Sequence, residues 1–168
     1  MRENGVIMQI RIIDSPVGKL SIATQNDAIL AISFSAFNDN YLPKLLTYPA
    51  MEIPGSSHEH LETQLKTFFS GKDPHFSLHL SLHGTTFQLK VWEACASIPY
   101  GETRSYADLA KMIGNPKAVR AVGTALGANP IPIIIPCHRV IGSNGKLTGF
   151  AGGLDVKKAL LDLESNNI

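Results

Sequence analysis

The sequence predicts a mixed α/β chain of the α+β kind. A small antiparallel β-sheet domain with one helix occupies residues 1–83, and a mainly helical domain with a helix-turn-helix occupies 84–168. Three observations carry this reading. β-branched runs separated by turn residues crowd the first 34 positions, and apolar spacing becomes helical after Thr86. A Gly-Asn pair at 114–115 then sits between two short helical patterns. A chain of 168 residues has room for one compact domain or for two small ones sharing an interface.

Taken in order, Met8 to Ile13, Lys19 to Thr24 and Ala28 to Phe34 are the strand candidates. Asp14-Ser15-Pro16-Val17-Gly18 and Gln25-Asn26-Asp27 supply the turns of a meander. Asn38 to Ser57 is weakly patterned and reads as connecting structure. Leu61, Leu65, Phe68 and Phe69 fall at i, i+4, i+7 and i+8, an amphipathic helix closed by Gly71. Phe76, Leu78, Leu80 and Leu82 alternate with Ser77, His79, Ser81 and His83, which predicts a half-buried strand. Phe87, Val91 and Cys95 recur every four residues, with Trp92 and Ile98 extending the apolar face, so Cys95 reads as core. Ser105 can cap a helix running to Ile113 and ended by Gly114. Asn115 as N-cap and Pro116 in the first turn would open the next helix. In that helix Val119, Val122 and Leu126 share the predicted inward face, while Ala118, Ala121 and Ala125 form a stripe of small residues. The stripe suits close approach to another helix or to DNA, and Arg120 points away from the inward face. Val156, Leu160, Leu161 and Leu163 mark a last helix.

Composition excludes several classes. Met1 to Asp14 carries Arg2, Glu3 and Arg11 and no continuous apolar core, which does not fit a signal peptide. No apolar stretch approaches a membrane span, since Ile131 to Ile135 is short and contains Pro132. Two cysteines cannot build a disulfide framework, and a reducing cytoplasm fits them. His58, His60, His75, His79 and His83 invite a zinc reading. No thiol or carboxylate accompanies His79 and His83 on the solvent face of their strand, so they read as solvated, with no metal and no cofactor. Residues 1–84 hold six Lys and Arg against eight Asp and Glu, whereas residues 85–168 hold nine against six. The positive balance lies in the half with the helix-turn-helix.

Pro136-Cys137-His138-Arg139-Val140 follows the apolar run Ile131 to Ile135. A thiol there is either a buried structural cysteine or a nucleophile with His138 as its base, and the pair alone does not decide between them.

The wider sequence does. Gly84 to Gly114 (GTTFQLKVWEACASIPYGETRSYADLAKMIG) and Gly114 to Leu154 (GNPKAVRAVGTALGANPIPIIIPCHRVIGSNGKLTGFAGGL) closely resemble the C-terminal domain of the O6-alkylguanine-DNA alkyltransferases. SYADLA, NPKAVRAVG, GANP and PCHRV in this order are highly specific. The match covers roughly half of the chain, and the first 80 residues fit the family only in outline. The resemblance implies direct-reversal repair of double-stranded DNA, and a monomer is the default for a module that wraps DNA with one face. The alkyl group of O6-alkylguanine passes to the protein's own cysteine in a single-turnover reaction, with O4-alkylthymine a second candidate lesion.

By the same resemblance Cys137 is the alkyl acceptor and His138 its general base through a bound water. Glu164 orients His138, and Tyr106 donates a hydrogen bond to the guanine ring. Taken as a residue alone, Tyr106 could equally pack on Pro99 or Pro116. The second helix would enter the minor groove with Ala118 and Ala121 close to DNA, and Arg120 would fill the space left by the flipped nucleotide. Flipping is required because O6 lies on the paired edge of the base. Asn129 reads as a structural hinge in the Gly-x-Asn-Pro turn leading to the active-site strand. Val140, Ser143, Phe150 and Gly152 would line the substrate pocket, while Lys157 fits a pocket support, a phosphate contact or a solvated surface lysine. The family usually has tyrosine at the position of Phe150, some members have serine at that of Ala151, and many bacterial ones have asparagine at that of Leu126. Zinc-carrying members use cysteine and histidine ligands in the N-terminal domain, and this chain has no cysteine before Cys95. Among rival readings, a non-catalytic lesion sensor of the alkyltransferase-like type would lack the cysteine of this motif. A regulatory fusion would need a cysteine-rich metal domain, and a thiol hydrolase would need an oxyanion hole.

Overall fold

A computed structural model describes residues 8–25, 28–34, 56–73 and 75–165. The connecting segment anticipated at 38–55 lies outside them. β1 (Met8–Ser15), β2 (Gly18–Gln25) and β3 (Ala28–Ser33) form the expected antiparallel meander in the order β1-β2-β3. The first hairpin turns at Pro16-Val17, where Gly18 adopts φ +105°, a conformation that suits glycine, and Ser15 Oγ donates to the Gly18 carbonyl at 2.6 Å. β2 pairs residue for residue with β1, from Met8 opposite Gln25 to Ser15 opposite Gly18. A shift between Ala23 and Thr24 offsets β3.

Helix α1 (Ser56–Phe69) buries Leu61, Leu65 and Phe68 on the stripe read from their spacing. Each such side chain contributes about 1.5–3 kcal/mol when removed from water. Gly71, at φ +80°, closes the helix. The strand expected over Phe76 to Leu82 is reduced to one parallel bridge between Leu80 and Ile29. Its alternation survives as half-buried Phe76, Leu78 and Leu80 between exposed Ser77 and His79. The reason is competition for the free edge of β3. Ile29 bonds to His79 and Ser81, but the next donor on that edge, Ile32, bonds to the Pro130 carbonyl at 2.8 Å.

Helix α2 (Thr86–Ala96) starts at a capping box in which Thr85 and Gln88 satisfy each other's backbone amides. It buries Val91, Trp92 and Cys95, as the four-residue spacing requires. The two-residue strand β4 (Arg104–Ser105) leads into α3 (Tyr106–Met112), where Ser105 is the N-cap and bonds reciprocally with Asp108. Gly114 reverses the chain at φ +75°.

The second helix of the pair, α4 (Val119–Gly127), begins later than predicted. Asn115 caps a tight turn, its carbonyl accepting from the Ala118 amide, and Ala118 stands at the helix start without a side-chain cap. The late start also rotates the face. Val122, Ala125 and Leu126 are buried, Val119 and Ala121 are exposed, and the small-residue stripe is split between core and surface. Trp92 Nε1 donates to the Ala125 carbonyl at 2.8 Å and locks α2 onto α4.

A short 3₁₀ turn (Cys137–Arg139) leads into β5 (Val140–Ile141), which pairs in parallel with β4, and α5 (Leu154–Ser165) follows. One buried cluster runs from Leu20 and Ile22 through Phe68, Trp92 and Ile131 to Leu160, so sheet and helices share a core. Among the described residues no helix is long and apolar enough to cross a membrane, and no group of three or more His, Cys, Asp or Glu could hold a metal ion.

Candidate active site

The segment before Cys137 is not a strand. Pro132 and Ile135 bridge across a tight turn, and Ile133 is held at φ +76°, a costly conformation for a β-branched residue. Two bonds hold that turn closed. The Ile135 amide donates to the Ile131 carbonyl at 2.9 Å, and Asn129 Oδ1 accepts from the Ile131 amide at 3.0 Å. Asn129 is therefore more than a hinge. Its Nδ2 donates both to the Ile135 carbonyl at 2.8 Å and to Cys137 Sγ at 3.2 Å. Fixing the turn and touching the sulfur are done by one amide.

Cys137 is buried, and burial pushes its thiol pKa up, against the opposing pull of the Asn129 bond and the Lys157 charge. Burial thus favours the thiol form, and any reaction at this sulfur would need a base to take its proton. His138 is fully buried beside it. Its Nε2 lies 2.7 Å from Glu164 Oε1, whereas Nδ1 has no hydrogen-bond partner. A carboxylate only accepts, so Nε2 carries the hydrogen and Nδ1 presents the lone pair. Burial holds the imidazole pKa below its ordinary value against the pull of Glu164, keeping it neutral and able to accept.

Glu164 does double duty. Burial alone would raise its pKa, but bonds from His138 and Arg139 win and bring it to about 2. Arg139 Nε donates to Glu164 Oε2 at 2.9 Å and Nη2 to Oε1 at 3.0 Å, while Nη1 reaches the Ile98 carbonyl at 2.6 Å. The Gly101 amide also donates to Oε2. The sequence reading missed Arg139, whose place beside His138 carries no periodic signal.

Lys157 is buried rather than solvated. Its Nζ donates to the Val140 carbonyl at 2.6 Å and to the Thr148 carbonyl at 2.9 Å. Its burial with Leu160 and Glu164, at i, i+3 and i+7, identifies the inward face of α5, a signal that apolar residues alone did not give. Tyr106 Oη donates to the same Thr148 carbonyl at 3.0 Å, and Lys157 Nζ lies 5.9 Å from the Tyr106 ring. Val140 is buried. The Phe150 ring lies 6.5 Å from that of His138, and Gly152 sits in the same loop. Ser143 is exposed in the turn after β5, and Arg120 and Ala121 are exposed on α4, with Ala118 half-buried at its start. Cys95, expected as core, is fully buried, and burial drives its thiol pKa far up.

Cys137, the adjacent His138 and its carboxylate partner Glu164 are thus buried in the same half of the chain as the helix-turn-helix. Residues 86–166 match the family model described as the 6-O-methylguanine DNA methyltransferase DNA-binding domain. The methylated-DNA–protein-cysteine methyltransferase of Methanosarcina barkeri is 46% identical over 167 residues, covering 96% of this chain and 99% of the relative. The chain belongs to the methylated-DNA–protein-cysteine methyltransferases. The solved O6-methylguanine methyltransferase of Mycobacterium tuberculosis superposes with a TM-score of 0.83 at 43% identity, over 96% of this chain and 94% of that one. A Mycobacterium tuberculosis OGT solved in complex with DNA gives 0.77 at 40% identity with the same coverage. Within this methyltransferase family the match extends over the N-terminal sheet as well as the half that carries the motifs.

Proposed function

We propose that this methyltransferase repairs O6-alkylguanine in double-stranded DNA by taking the alkyl group onto Cys137, once per molecule and as a monomer. The observation that carries the reading is Cys137 Sγ bonded to Asn129, with the neighbouring His138 locked on Glu164 by one nitrogen and open at the other. As the lesion reacts, the thiol proton moves through a bridging water to His138 Nδ1. The sulfur attacks the alkyl carbon, an S–C bond forms and the C–O bond to guanine breaks. The base departs with its charge met by a hydrogen bond from Tyr106, whose hydroxyl exchanges the Thr148 carbonyl for the guanine ring. The thioether product has no electrophilic carbonyl for water to attack, so the protein is consumed. O4-alkylthymine, whose alkyl group is carried on oxygen in the same way, is the second lesion proposed.

For the thiol to reach the lesion the base must leave the stack. Arg120, exposed on α4 with Ala118 and Ala121 alongside, is proposed to occupy the gap by stacking its guanidinium on the bases left behind. Losing one base-stacking contact costs about 1–3 kcal/mol, so Arg120→Ala should slow repair of a duplex lesion roughly 10-fold or more. Reaction with free O6-benzylguanine base should stay unchanged. Titrating duplex against protein should stop at one lesion per molecule. Repeated turnover, or an equal loss on both substrates, contradicts the reading.

A further inference from the structure

The loop that carries Phe150 and Gly152 is held from the N-terminal sheet, by Phe34, a residue outside the sequence motifs quoted above. Phe34 directly follows β3, two positions after Ile32, whose amide is bonded to the Pro130 carbonyl at the start of the active-site turn. That bond fixes where the end of β3 meets the active site. From there the Phe34 ring packs against Phe150, with centroids 5.2 Å apart and planes tilted by 56°. It also covers Gly152. A methyl group added at Gly152 would meet the Phe34 ring at 2.8 Å and Phe150 Cε1 at 3.2 Å. Phe150 in turn lies edge-on to His138. A continuous aromatic contact therefore runs from the sheet, through the loop, to the imidazole beside Cys137.

We propose that Phe34 is a specificity-determining residue, setting how large an alkyl group Cys137 can accept by wedging Phe150 and Gly152 against the His138 side of the site. The inference rests on the repair reading above. Phe34 and Phe150 both lie so close to Gly152 that neither leaves room for a Cβ there. Removing the Phe34 ring should let the Phe150 ring and the loop move outward, enlarging the space for a bulky adduct while leaving Cys137, His138 and Glu164 in place. Phe34 touches none of the reacting atoms and acts through Phe150.

The experiment measures transfer rates from duplexes carrying O6-methylguanine or O6-benzylguanine, for the natural protein and for Phe34→Leu, Phe34→Ala, Gly152→Ala and Phe34→Ala/Gly152→Ala. A hydrophobic pocket discriminates by roughly 10-fold or more per methylene-sized change in fit. The benzyl-to-methyl rate ratio should therefore rise about 5-fold or more in Phe34→Ala, and less in Phe34→Leu. Gly152→Ala alone should lower the ratio, and removing Phe34 in the double variant should restore it. A merely structural Phe34 would change both rates by the same factor. Methyl transfer with an unchanged ratio in the folded Phe34→Leu protein, or effects of the two substitutions that simply multiply, overturns the role of Phe34 alone. Absence of methyl transfer by the natural protein overturns the repair reading with it.

Discussion

Glu164→Gln should be the most damaging single substitution outside Cys137. The carboxylate answers three Arg139 contacts, the His138 Nε2 hydrogen and the Gly101 amide, with almost no exposure to water. Neutralising it leaves a buried guanidinium without its counter-charge, a loss of about 3–5 kcal/mol. That corresponds to a drop in melting temperature of roughly 10 °C. The chemistry fails separately. A Gln amide can donate to Nε2, which places the imidazole hydrogen on Nδ1 and removes the lone pair meant for the thiol proton. The transfer rate should fall about 10²-fold or more.

The pH dependence separates these two effects. Glu164 is held at about 2 in the folded protein against 4.5 when free. Its stabilisation is complete above 4.5 and lost as pH falls towards 2, so the stability gap between the natural protein and Glu164→Gln should narrow below pH 4.5. His138 has its folded pKa below 6.5, so folding also weakens as pH falls below 6.5, where the unfolded imidazole takes a proton first. Urea unfolding of both proteins from pH 8 to pH 3 checks the signs. A gap that widens in acid would contradict them.

Asn129→Ala is the second large effect. It removes the acceptor for the Ile131 amide and the donor to the Ile135 carbonyl, and so releases a turn that holds Ile133 at positive φ. An unsatisfied buried backbone group costs about 1–3 kcal/mol, and the Ile131 amide becomes one, while the Ile135 carbonyl keeps its bond from the Cys137 amide. The same change takes away the only side-chain donor to Cys137 Sγ among the described residues, so the thiol pKa climbs further and transfer slows. Asn129→Asp divides the roles. Its oxygen can still accept from Ile131, but a carboxylate beside the sulfur opposes thiolate formation. It should recover part of the lost stability and none of the lost rate. Unfolding midpoints and single-turnover rates for both variants check this, and equal rates in Asp and Asn proteins would remove Asn129 from the chemistry.

Much of this is legible in the amino-acid sequence alone. Periodicity placed the meander, the Leu61–Leu65–Phe68 stripe and the core position of Cys95, because those elements are fixed by burial on one face. Ser105 and Gly114 marked the ends of a helix by local chemistry that needs no tertiary partner. What escaped depended on distant partners. Phe76 to Leu82 alternates like a strand, but Pro130 claims the edge it would have paired with. Asn115 has the chemistry of a helix cap, yet the turn to Ala118 delays the helix and moves Val119 outward. Arg139 and Lys157 look like surface charges to any pattern of apolar spacing. They are buried because a carboxylate and three backbone carbonyls, far apart in the chain, converge on them. Phe34 ends an ordinary strand, and only the packed structure brings it to the loop of Phe150.

The most direct test of the central claim is the intact mass of the protein after incubation with excess duplex carrying a single O6-methylguanine, with Cys137→Ala in parallel. The expected result is the replacement of one hydrogen by one methyl group per molecule, mapped by peptide fragmentation to Cys137 and absent from the variant. An unchanged mass together with tight, lesion-selective binding would contradict self-alkylation and leave a lesion sensor in its place.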